Sequence, residues 1–68
     1  MNDIIIDTAE RFIGKHRNHR ISIVKADGSF DIDVQDKTNM NIMEMRAAFK
    51  DMQDAKDFTV AYLDRLLT

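Results

Sequence analysis

Ile21-Ser22-Ile23-Val24-Lys25-Ala26-Asp27-Gly28-Ser29-Phe30-Asp31-Ile32-Asp33-Val34 decides the reading of this chain: two alternating runs flank Asp27-Gly28. Asp-Gly suits a two-residue type I′ turn, whose central residues both need positive φ, and such a turn twists with the strands it joins. The turn fixes a register in which Ala26 faces Ser29, Lys25 faces Phe30, Ile23 faces Ile32 and Ile21 faces Val34. Opposed residues share a sheet face, so Ile21, Ile23, Phe30, Ile32 and Val34 are expected together. Ser22, Val24, Asp31 and Asp33, with Arg20 beside Gln35, are expected on the solvent side. A one-residue slip would bury both aspartates, which pins the pairing.

Upstream of the hairpin, Ile5, Ala9, Phe12 and Ile13 fall on one side of a helix, and Gly14 suits the position just past its end. Asp3 is the favoured cap. Asp7-Thr8-Ala9-Glu10 also fits a capping box, which would leave Ile4 to Ile6 extended as a third strand. Downstream, Asn41-Ile42-Met43-Glu44 repeats the capping-box pattern, and no glycine or proline follows it. A helix from there to Thr68 would run about 39 Å at 1.5 Å per residue. Ile42, Met45, Phe49 and Met52 form a narrow stripe, and beyond Gln53 the apolar residues spread around the circumference. The helix is therefore expected to be long, or to break near Gln53-Asp54 with Asp54 capping a second one.

The whole sequence, 68 residues and 7.9 kDa, is read as a single small α+β domain: a short N-terminal helix, a two-stranded antiparallel β-hairpin and a long or broken C-terminal helix. So short a chain buries only about 60% of its unfolded surface when it folds alone. With no cysteine, disulfides and thiolate metal sites are excluded as supports. That favours a homodimer, in which the excess apolar surface at Phe58, Tyr62, Leu63, Leu66 and Leu67, with Val60, lies between subunits. No apolar run approaches the roughly 18 residues that span a bilayer, and no secretory leader is visible. A cytoplasmic protein without membrane contact is expected.

Formal charge is −2, from ten bases and twelve acids. The bases are uneven: Arg11, Lys15, Arg17, Arg20 and Lys25 occur without an intervening acid. Within that run Lys15, His16, Arg17, His19 and Arg20 are the candidate contacts for an acidic protein surface or for phosphates. Contacts through the two histidines would strengthen as the solution is acidified. Single-strand recognition is weakened by the lack of stacking aromatics in the segment. Side chains of this loop are expected to have no role in folding. Asp31 and Asp33 form the alternative contact face, two strand residues or about 6.7 Å apart, a spacing near that of successive phosphates. Met40 and Met43 lie off the helical stripe and are further candidates, whereas Met45 and Met52 read as core.

Nothing points to catalysis or to a cofactor. His16 and His19 are only two ligands, short of the three or four that zinc takes, and neither a nucleophile motif nor a phosphate-cradling glycine loop is present. A ribbon-helix-helix arrangement would turn Asp31 and Asp33 toward DNA phosphates. The expected function is a small non-enzymatic protein-binding module, an inhibitor or adaptor of the kind phages and mobile elements also encode, that occupies a surface of a larger protein. Nucleic-acid or nucleotide binding through residues 15–20 is the alternative.

Overall fold

The computed structural model describes residues 3–68, with side-chain surroundings from Ile4 onward. Five strands, β1 (Asp3–Asp7), β2 (Arg11–His16), β3 (His19–Ala26), β4 (Ser29–Gln35) and β5 (Asn41–Ala47), precede one helix, α1 (Met52–Leu66). The strands form an antiparallel meander in the order β1-β2-β3-β4-β5. The register deduced around Asp27-Gly28 holds at every pair from Ala26–Ser29 to Ile21–Val34. Both turn residues have positive φ, 51° and 83°.

The expected architecture of N-terminal helix, isolated two-stranded hairpin and long C-terminal helix is corrected by this sheet. A two-stranded hairpin is marginal by itself, and here β3–β4 is the centre of five strands, with β2 paired to β3 and β5 to β4. At the N-terminus the Thr8 hydroxyl takes the place of a helix cap. It accepts from Glu10 N at 3.3 Å and Arg11 N at 3.0 Å and donates to Arg11 O at 3.1 Å, closing a tight turn between β1 and β2. Ile4 to Ile6 are thus strand, the reading set aside above, and Gly14 lies within β2 opposite Ile21.

Met43-Glu44-Met45-Arg46-Ala47 has helix-forming residues but alternates with period two. Pairing wins over propensity, because it places Met43, Met45 and Ala47 opposite Val34, Ile32 and Phe30. Asn41 and Glu44 do meet, Nδ2 to Oε1 at 2.7 Å, but inside a strand. A bulge at Ile42 brings these two residues, three apart, onto one face.

The helix is accordingly one short element of 15 residues. Its cap is Asp51, not Asp54: the Asp51 side chain accepts from Asp54 N at 3.0 Å. Met52, Ala55, Thr59 and Leu63 make its buried stripe. They pack on Phe12, Ile21, Ile23, Phe30, Ile32 and Val34, each at most 1% exposed. Buried Thr59 satisfies its hydroxyl by donating to Ala55 O at 2.8 Å.

Five strands at about 4.8 Å spacing are about 19 Å wide, whereas a helix with its side chains is about 10 Å across. One helix therefore cannot cover the sheet. α1 packs on β2, β3 and β4 and leaves the inner faces of the two edge strands only partly covered. Ile4 on β1 is 57% exposed, and Met43 and Met45 on β5 are half-buried. Both edge strands carry a bulge, a feature that disfavours edge-to-edge pairing.

Candidate functional site

A meander puts alternate turns at the same end of the sheet. The β2–β3 and β4–β5 turns share one end, and the basic segment of the sequence is divided between the faces there. His16 and His19 are the last paired residues of β2 and β3, with Arg17 and Asn18 as a two-residue turn at φ 53° and 63°. The His19 ring is bonded back to the turn, Nδ1 to Arg17 O at 2.7 Å. His16 and Arg17 reach α1: Asp64 Oδ1 accepts from His16 Nε2 at 2.7 Å and from Arg17 Nε at 2.9 Å. These two bases hold the helix to the turn, so the expectation of a loop without a part in folding fails for them. The Asp64 carboxyl is held below its ordinary pKa, chiefly by the His16 hydrogen bond and further by the charges of His16 and Arg17.

Lys15 and Arg20 point the other way, onto the open face, directly opposite each other across β2–β3. Like charges in that position are destabilising. On the far side of Lys15, Asp3 is its register partner in β1. The β4–β5 turn adds Lys37 and Asn39, and one cleft of about 420 Å³ is lined by Lys15, Asn18, Arg20, Asp36, Lys37 and Asn39. Asp36 is occupied by its own turn. Its Oδ1 accepts from Thr38 N at 2.8 Å, Thr38 Oγ1 at 2.6 Å and Met40 N at 3.1 Å. Those bonds, the Thr38 side chain first, lower its pKa. The sequence reading missed Lys37 and Asn39, although Asp36-Lys37-Thr38-Asn39 has the composition of a turn.

Across the open face the acids face one another. Asp33 lies opposite Glu44, whereas Asp31 lies opposite Arg46, whose guanidinium grips it with both donors, Nη2 to Oδ2 at 3.0 Å. Arg46 thus holds the Asp31 pKa down, while desolvation, then the charges of Glu44 and Asp31, push Asp33 up. A run of free carboxylates imitating phosphates is broken at Asp31.

The residues expected between subunits divide as well. Leu63 is fully buried in the monomer's own core. Phe58, Leu66 and Leu67 are exposed, and Tyr62 is half-buried. On the flank of α1 toward β5 the rings form a chain: Phe30 to Phe49 at 6.1 Å, Phe49 to Phe58 at 5.5 Å and Phe58 to Tyr62 at 6.5 Å between centroids. Phe49, in the β5–α1 connection, packs on the core, as Met43 and Met45 of β5 do, while Met40 stands apart at 66% exposure. The register places Ile13, Ser22, Val24 and the charged residues on the open face, with no aromatic ring among them. A base-stacking platform is missing from that face.

Among the described residues no group of three His, Asp or Glu side chains is placed to hold a metal ion, and no helix is long and apolar enough to cross a membrane. Compared with known proteins, the chain matches no family model, no curated protein and no solved structure.

Proposed function

We propose that this chain is a small non-enzymatic protein-binding module, of the inhibitor or adaptor kind, that acts by laying one face against a larger protein. The observation that carries the reading is the strip left only partly covered because α1 is too narrow for the sheet. Phe49, Phe58 and Tyr62 form a row of rings on the flank of α1, and Leu66 is exposed further along the helix. Met43 and Met45 are half-buried on β5, so rigid aromatics and adaptable methionines both reach the surface. Aromatic side chains are the usual anchors of protein interfaces, and methionine adapts to irregular partners. Without its partner the strip is covered by a second copy, giving a homodimer.

Sedimentation equilibrium at micromolar concentration, combined with a photo-crosslinker at position 58, tests this reading. Wild type is expected to dimerise with little dependence on salt, and Phe58→Glu with Leu66→Glu to remain folded and monomeric. A wild-type monomer that also gives no protein cross-link from position 58 overturns the reading.

A further inference from the structure

We infer that the cleft between the β2–β3 and β4–β5 turns binds the phosphoryl group of a small phosphate-bearing ligand. Arg20 and Lys37 are the principal cations, Lys15 a third, and the side-chain amides of Asn18 and Asn39 serve as neutral donors. The inference is independent of the protein-binding strip, with which the cleft shares no residue.

Three observations converge on it. Strand pairing sets Lys15 directly against Arg20 on the open face, which places two cations side by side at the cleft. The neighbouring turn then adds a further cation, Lys37, to the same cleft. Among the described residues neither Arg20 nor Lys37 makes an ion pair. Of the other bases near this end, His16 and Arg17 are committed to Asp64, and the His19 ring is bonded to Arg17 O.

Charge and geometry choose the ligand. Lys15, Arg20 and Lys37 against Asp36 leave the lining with a formal charge of +2. That matches a phosphoryl dianion better than a singly charged carboxylate. Donors enter from two separate turns, an arrangement suited to an oxyanion with three terminal oxygens, and an arginine can bind two of them at once. Asp36 Oδ1 is already bonded within its turn, and its charge is counted in that +2. A volume of about 420 Å³ lies within the range of small-molecule sites. The absence of an aromatic ring from the lining argues against a nucleic-acid strand, whose bases would need a surface to stack on.

The test is an NMR titration of the ¹⁵N-labelled chain with pyrophosphate, against sodium chloride at matched ionic strength. Saturable shifts are expected at the amides of Asn18, Arg20, Lys37 and Asn39. Arg20→Gln with Lys37→Gln should weaken binding by at least about ten-fold while preserving spectral dispersion. Lys50→Gln, outside the cleft, should leave the affinity unchanged. Equal shifts with sodium chloride, or an unaffected double variant, overturn the inference. So does a single-stranded oligonucleotide that binds through the open face when pyrophosphate does not bind, since that outcome assigns the face to nucleic acid.

Discussion

His16, the last residue of β2, donates from Nε2 to Asp64 in the last turns of α1 at 2.7 Å across 48 residues of sequence. Arg17 Nε reaches the same carboxylate oxygen at 2.9 Å. The contact closes the end of the molecule at which the helix C-terminus, with its partial negative charge, benefits from nearby cations. It explains why a basic turn is found here irrespective of any ligand.

Asp64→Asn should therefore lower the melting temperature at neutral pH. A carboxyl whose pKa is depressed on folding contributes stability above the ordinary value of about 3.9, and loses it as the pH falls through the folded value. Thermal melts followed by circular dichroism at about pH 7 and at about pH 2 measure this directly. The gap between wild type and variant should narrow at the acid end. A constant gap would mean that Asp64 contributes through its shape and not its charge.

Asp33 carries the opposite sign. Desolvation, followed by the charges of Glu44 and Asp31, raises its pKa on folding, so its ionised form is disfavoured at neutral pH and protonation relieves the fold. Asp33→Asn should stabilise near neutrality, by about half a kcal/mol or less given its exposure to solvent. The advantage should vanish as the pH drops below the ordinary carboxylate value. Denaturant midpoints at two pH values provide the measurement, and a destabilised variant at neutral pH would contradict the assignment.

What the sequence made legible was local pairing. Asp27-Gly28 fixed the centre of the sheet residue by residue, and the apolar face followed from it. The errors came where one segment fits two periods. Ile5, Ala9, Phe12 and Ile13 do lie on one side of a helix, but Phe12 is needed opposite Ile23 to continue the sheet. Met43, Met45 and Ala47 alternate with Glu44 and Arg46, yet an apparent cap at Asn41 masked the alternation. In both cases long-range pairing overrode a weak local preference. The site was half visible for the same reason: Lys15 and Arg20 lie in the basic run, whereas Lys37 joins them only once β4 and β5 are known to reverse at residues 36–40. The division of Phe58 from Leu63 depends on which helix face meets the sheet.

At the central turn the structure isolates a purely conformational cost. A Cβ added at Gly28 meets no atom within 4 Å, but the residue stands at φ 83°. Gly28→Val should destabilise by about 1–3 kcal/mol, because a β-branched residue is strained at positive φ, whereas Gly28→Asn should cost clearly less. Urea unfolding of both variants tests the ordering, and equal losses would show that the turn relaxes to another type.

Leu63 and Phe58 separate folding from assembly. Sequence alone would place both between subunits. In the structure Leu63 is fully buried, whereas Phe58 is 40% exposed and touches the fold through Phe49 and Tyr62. Truncating a buried leucine costs about 2–5 kcal/mol, and a core this small supplies only about 3–5 kcal/mol of net stability. Leu63→Ala should therefore largely unfold the chain at 25 °C, and any loss of assembly would be secondary. Phe58→Glu forfeits its aromatic contacts, about 0.5–1.5 kcal/mol beyond the burial of the ring, at a position already 40% exposed. It should keep native circular dichroism and a cooperative melt while losing self-association in the ultracentrifuge. If Phe58→Glu instead unfolds as completely as Leu63→Ala, the strip is part of the monomer's core and is not free for a partner.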